Sequence, residues 1–92
     1  MSWYLYLARC KDGSLYAGIT KDLRQRIHEH NSDNKLGAKS LRNKRPVVLV
    51  YYEVFTSQSE AAKREKSVKR WTRKYKLKLI ENFKIRESKE DI

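Results

Sequence analysis

The sequence predicts an α+β domain: a small three-stranded antiparallel sheet flanked by helices, in the order β-β-α-β-α-α. Three observations predict it. Residues 3–20, "WYLYLARCKDGSLYAGIT", are two short runs rich in Tyr and Leu around a turn. Residues 47–55, "VVLVYYEVF", read as the clearest strand, dominated by β-branched and aromatic residues. The segments between and after them have helical spacing with capping residues at their starts. A hairpin and a third strand with helices packed on them is an α+β arrangement.

The first two strands are expected at 3–10 and 14–20, and "KDGS" offers two ways to join them. A two-residue type I′ turn at Asp12-Gly13 pairs Tyr6 with Ile19 and puts Tyr6 and Tyr16 on different faces. A three-residue loop, Lys11-Asp12-Gly13 with Gly13 left-handed, pairs Cys10 with Ser14 instead. Only the second sorts the side chains. One face then carries Trp3, Leu5, Leu7, Leu15, Ala17 and Ile19, with Arg9 and Lys21 at its ends. The other carries Tyr4, Tyr6, Ala8, Cys10, Ser14, Tyr16, Gly18 and Thr20. Because a one-residue slip exchanges the faces, the cleaner separation selects the three-residue loop. Tyr6 and Tyr16 become diagonal neighbours, roughly 7–8 Å apart at the backbone. With Gly18 opposite Tyr6 and Ala8 opposite Tyr16, the two hydroxyls are expected to rim a small open hollow.

"TKDLRQRIHEHN" follows as a helix, capped by Thr20 or Asp22, with Leu23 and Ile27 four apart and Asn31 at its exit. Residues 31–45 read as a polar, basic loop that Pro46 ends. After the third strand, Ser57-x-x-Glu60 makes a capping box for a helix running to about Trp71. Thr72 caps a last helix with Leu77, Ile80 and Phe83 on one stripe. Residues 1–83 form one domain, and the mixed-charge tail 84–92 is expected to fray.

Ninety-two residues with 22 Lys/Arg against 11 Asp/Glu give a formal charge of +11. A field of that sign attracts polyanions, and nucleic acid is the commonest of these inside a cell. The single cysteine, Cys10, excludes an internal disulfide and a multi-cysteine zinc site. No run approaches the ~18 apolar residues of a membrane span, and the N-terminus lacks a signal pattern, so a cytoplasmic protein is expected.

"YLY", nine residues, "YAG", then "DLRQRIHEHN" resembles the GIY-YIG nuclease domain, and "RPVVLVYYE" and "REKSVKRW" extend the likeness to about Leu79. It looks most like the small stand-alone members, related to the nuclease domain of the UvrC excision-repair subunit. The resemblance implies divalent-metal-dependent hydrolysis of phosphodiester bonds. It also implies a catalytic set of Tyr6, Tyr16, Arg26, His30 and Glu65, with Glu65 the single metal-binding carboxylate for Mg²⁺ or Mn²⁺. Three departures stand out. The first tripeptide lacks its leading glycine, Ile19 stands where some members have lysine, and the asparagine that some place beyond the glutamate has no counterpart.

The residues suit that chemistry. Arg26 offers a fork of donors matched to phosphate, and His30 lies one turn further on the same helix face. The plain alternative for Arg26 is a surface pair with Asp22. Glu65 is the only acid from Lys63 to Lys74 and shares a face with Ala61, Ala62 and Val68. Its carboxylate there takes either a hard cation or a salt bridge to Arg26 or a lysine. Tyrosine is a weak base at its reference pKa of about 10, and a neighbouring arginine and metal favour the phenolate. Tyr6 is assigned as general base and Tyr16 as the positioner of water or phosphate, and the sequence leaves the reverse assignment open. Lys35, Lys39, Arg42, Lys44 and Arg45 in the middle loop, with Lys69, Arg70, Arg73 and Lys74 at the last helix junction, suit contacts to phosphate. Trp71 is read as core rather than as a base-stacking residue. The partner is nucleic acid, DNA favoured over RNA. The alternatives are a non-catalytic nucleic-acid-binding module of the same fold and a basic interaction domain for a protein partner.

Overall fold

The computed structural model describes residues 2–33 and 35–90, with side chains described as far as Phe83. Its elements are strands β1 (Trp3–Arg9) and β2 (Leu15–Thr20), helix α1 (Leu23–Ser32), a 3-10 helix (Lys39–Lys44), strand β3 (Val48–Phe55), and helices α2 (Gln58–Arg70) and α3 (Arg73–Glu90).

The β1–β2 turn is the three-residue one. Cys10 N–H donates to the Ser14 carbonyl at 2.9 Å, Gly13 N–H donates to the Cys10 carbonyl at 2.9 Å, and Gly13 has φ +86°. Asp12 fixes the tip by accepting from the Ser14 amide and hydroxyl. Tyr4 therefore faces Thr20, Tyr6 faces Gly18 and Ala8 faces Tyr16. The sheet order is β2-β1-β3, with β1 antiparallel to both neighbours. Against β3 the register shifts between Leu7, which faces Tyr51, and Ala8, which faces Leu49. Val50 is the extra residue of that bulge. The bulge lets Val50 and Tyr51 join one face of the sheet while Leu49 joins the other.

Both faces are covered, each by its own core. Leu5, Leu7, Ala17 and Tyr51 meet Val68 of α2 and Ile80 of α3, with Trp71, Leu79 and Phe83 packed alongside. Tyr6, Ala8 and Cys10 meet Leu41 and Val47, with Leu23 and Ile27 of α1 closing over them. Burying leucines such as Leu5 and Leu7 completely contributes about 1.5–3 kcal/mol each. Arg64 of α2 donates twice to Glu53 of β3, at 2.9 and 3.0 Å, and Tyr51 donates to the same carboxylate.

Of the two caps expected for α1 the structure uses Asp22, and several other local features differ from the sequence expectation for identifiable reasons. Asp22 caps α1 by accepting from Gln25 N–H, while Thr20 accepts from the Asp22 amide. Asn31 does not mark the exit: the helix runs on to Ser32, and the Asn31 carboxamide bonds both the amide and the carbonyl of Val47. The middle loop holds a 3-10 helix that drives Leu41 into the core. At α2 only half the capping box forms. Ser57 accepts from Glu60 N–H, but the Glu60 carboxylate takes the Thr56 hydroxyl. On α3 the buried stripe is Leu79, Ile80 and Phe83, and Leu77 is exposed. Leu77 lies one position off the 76, 79/80, 83 helical row that faces the sheet. The tail expected to fray lies outside the described side chains, and residues 91–92 lie outside the described residues. Among the described residues no helix is long and apolar enough to cross a membrane.

Gly13→Ala is expected to lower stability by about 1 kcal/mol, since an L side chain is penalised at positive φ. Gly13→Asn should cost less. Urea unfolding of the two variants checks this, and equal losses would contradict the left-handed assignment.

Candidate active site

β1 supplies Tyr6, β2 supplies Tyr16, and α1 supplies Arg26 and His30 one turn apart. The pairing of Tyr6 with Gly18 and of Ala8 with Tyr16 places the two phenols on the same face of the sheet, with ring centroids 6.3 Å apart. The expected open hollow between them is absent. Tyr6 is only 1% exposed and lies across β2. A Cβ at Gly18 would stand 2.6 Å from its hydroxyl and 2.8 Å from Cζ, so the missing side chain makes room for the phenol itself. Tyr16 is half-buried, and its ring meets His30 edge-on at 5.3 Å.

His30 is fully buried between α1 and the sheet. Ala38 N–H donates to its Nδ1 at 3.1 Å, so Nδ1 carries a lone pair and the ring proton sits on Nε2. Nε2–H then donates to the Tyr6 hydroxyl oxygen at 2.7 Å. Burial, and after it the Arg26 charge, push the His30 pKa down to about 4, consistent with this neutral imidazole. Burial is also the main cause that raises the Tyr6 phenol well above the usual tyrosine range, with Tyr16 adding to it. The Arg26 guanidinium acts in the opposite sense, and the Glu65 carboxylate disfavours the phenolate. Tyr6, Tyr16 and His30 therefore meet on one face of the sheet, with Arg26 one turn from His30 on α1, while Glu65 of α2 bears on the Tyr6 phenol only through its charge.

Arg26 does not pair with Asp22, which is occupied as the helix cap. Its guanidinium donates to Glu29 Oε1 at 2.9 Å and to the Leu36 carbonyl. An i,i+3 spacing on the helix was the available signal for Glu29. Glu65 is 23% exposed, and the partner it has is Lys69, whose Nζ stands 3.7 Å from Oε2. That is a loose contact beside the two short bonds by which Arg64 holds Glu53. Among the described residues no group of three or more His, Cys, Asp or Glu side chains is placed to hold a metal. The donor set is a single carboxylate. It suits a hard cation that keeps most of its waters and takes substrate phosphate oxygens, and does not suit an all-protein cage.

The basic residues divide. Lys35, Lys39, Arg42, Lys69, Arg70, Arg73 and Lys74 are exposed, whereas Lys44 is half-buried and stands 3.8 Å from Asp12. Arg45 is not a surface cation: its guanidinium donates to the carbonyls of His30 and Asp33 and ties the loop to the end of α1. Trp71 packs against the core beneath the Arg64 guanidinium, 4.8 Å from its ring centroid.

A β-β-α-β-α-α sheet with two same-face tyrosines, a helix arginine and histidine, and a glutamate from the next helix defines a GIY-YIG-type domain. The chain matches the model of the GIY-YIG catalytic domain over residues 2–78 and belongs to that family. It is 53% identical over 77 residues to a UPF0213 protein of Staphylococcus saprophyticus, covering 84% of this chain and 92% of that one. A UPF0213 protein of Bacillus pumilus is 49% identical over 82 residues, 89% of this chain and 82% of its own. Two solution NMR structures are similar. The UPF0213 protein of Bacillus halodurans superposes with a TM-score of 0.55 at 40% identity, over 88% of this chain and 84% of that one. A protein from E. faecalis gives 0.62 at 38%, over 92% and 88%.

A neutral buried histidine makes stability depend on pH with a definite sign. The folded pKa lies below the unfolded value of about 6.5, so the unfolded chain binds the proton more readily. Stability is then complete above pH 6.5 and falls as pH drops towards 4, by up to about 3 kcal/mol from this residue. NMR titration of His30 should return a pKa near 4, and a value near 6.5 would contradict the buried, Ala38-bonded ring.

Proposed function

We propose that this chain is a metal-dependent endonuclease that hydrolyses nucleic-acid phosphodiester bonds, structure-selective or weakly specific, with DNA favoured over RNA. The observation that supports it best is the meeting of Tyr6, Tyr16 and His30 on one sheet face, with Arg26 one turn from His30, in a chain of formal charge +11. Phosphodiester hydrolysis needs an activated water, a partner for the charge that grows on phosphorus, and relief at the leaving oxygen. Arg26 is the phosphate partner. Its guanidinium now holds Glu29 and the Leu36 carbonyl at the edge of the site, and a phosphate competes for the same donors.

Tyr6 is the general base. Its hydroxyl oxygen already accepts from His30 Nε2–H, so a phenolate that has released its proton to solvent keeps a fixed donor while Arg26 supplies positive charge, and takes a proton back from the attacking water. Tyr16, less buried and edge-on to His30, orients water or phosphate. Glu65 would hold Mg²⁺ or Mn²⁺, which when bound would supply positive charge to the scissile phosphate and its leaving oxygen.

The second reading, a nucleic-acid-binding module without catalysis, has one observation in its favour: Arg26 is already engaged within the protein. Cleavage of plasmid, single-stranded, flap and RNA substrates with Mg²⁺ or Mn²⁺, against an EDTA blank, separates the two. The nuclease reading expects Glu65→Ala to abolish cutting with nucleic-acid affinity retained. It expects Tyr6→Phe to slow cutting by about 10²–10⁴-fold. Metal-indifferent binding with no cutting would establish the module instead.

A further inference from the structure

We infer that Tyr75 is a stacking platform for an unpaired base, so that the nucleic acid this chain binds lays a single-stranded segment across the start of α3. The inference rests on reading the chain as a nucleic-acid-binding protein and adds the form of the substrate. Tyr75 is 60% exposed, the most exposed large apolar side chain described, although Trp71 one turn earlier packs against the core.

The ring is not loosely hung. Its centroid is 6.2 Å from that of Trp71. Trp71 in turn lies under Arg64, and Arg64 is clamped by two bonds to Glu53 on β3. Lys78 Nζ also lies near the ring, 5.8 Å from its centroid. Arg64, Trp71 and Tyr75 thus run from the sheet to an aromatic ring that is 60% exposed.

Charge selects the occupant. Residues 66–80, "KSVKRWTRKYKLKLI", hold seven Lys/Arg and no Asp or Glu, and Lys66, Lys69, Arg70, Arg73, Lys74 and Lys78 are exposed. Such a run suits a phosphate backbone. An exposed aromatic inside it suits a base, which stacks on a side chain with little regard to sequence. Bases within a duplex are already stacked on one another, so the ring selects a strand whose bases are unpaired.

The test is fluorescence anisotropy in EDTA, with a single strand and a duplex of the same sequence, so that cleavage plays no part. Tyr75→Ala should weaken single-strand binding by about 5- to 100-fold. Duplex binding should change less than about twofold, with the salt dependence intact, since the phosphate contacts remain. Tyr75→Phe should bind like the wild type, which guards against a folding artefact. Unchanged single-strand affinity in Tyr75→Ala, or an equal loss on both forms, overturns the inference. If metal-dependent cutting still responds to Glu65→Ala in that case, only the stacking role fails. A wild-type protein that binds neither strand form would overturn the nucleic-acid reading as well.

Discussion

The register of β1 against β2 is the constraint on which the rest depends. A three-residue turn with Gly13 at φ +86° makes opposed residue numbers sum to 24, and the consequences are discrete because side chains alternate with a period of two. One residue less in the turn would exchange the faces of β2. Tyr16 would point under α2, and Gly18 would no longer lie beneath the Tyr6 phenol. The same register gathers Leu5, Leu7 and Ala17 on the opposite face, where α2 and α3 cover them. The turn thus decides both which residues make the main core and which two phenols meet.

His30 carries that geometry from the sheet to the loop. It is the one charged-type side chain buried among the described residues, and both its nitrogens are spoken for. The Ala38 amide fixes the tautomer, and Tyr6 receives the remaining proton donor. Around it the loop is fastened to α1 by Arg45 at the His30 and Asp33 carbonyls and by Arg26 at the Leu36 carbonyl. A polar loop rich in lysine is in this way held close to the site by contacts with the helix that bears its arginine and histidine.

Much of this was legible in the sequence. The register followed from counting which turn separates apolar from tyrosine-bearing positions, and the capping residues Asp22 and Ser57 marked two helix starts. What escaped was decided by space and by tertiary partners. Gly18 read as a gap beside a phenol, whereas the phenol occupies the gap, because a buried ring is favoured over an empty hollow. Arg45 read as one more loop cation, since nothing local shows that the last carbonyls of α1 end within its reach. Asn31 read as a helix exit because its partner, Val47, lies 16 residues away. The shift of the α3 stripe from Leu77 to Leu79 was invisible for a similar reason: three apolar residues lie within four positions, and only the sheet chooses among them.

The charge distribution separates two kinds of chemistry within a small volume. At the centre, burial keeps His30 neutral and the Tyr6 phenol protonated, and Arg26 shares its charge with Glu29. At the surface, lysines and arginines outnumber acids and stand in water. A polyanion is therefore attracted from outside without the interior having to hold unpaired charge, which in a domain of this size would be costly. The balance at the centre has opposing contributions. The Tyr6 phenolate is opposed by burial and by the Glu65 carboxylate and favoured by Arg26, and burial outweighs the arginine, so the neutral phenol is the form the folded domain holds.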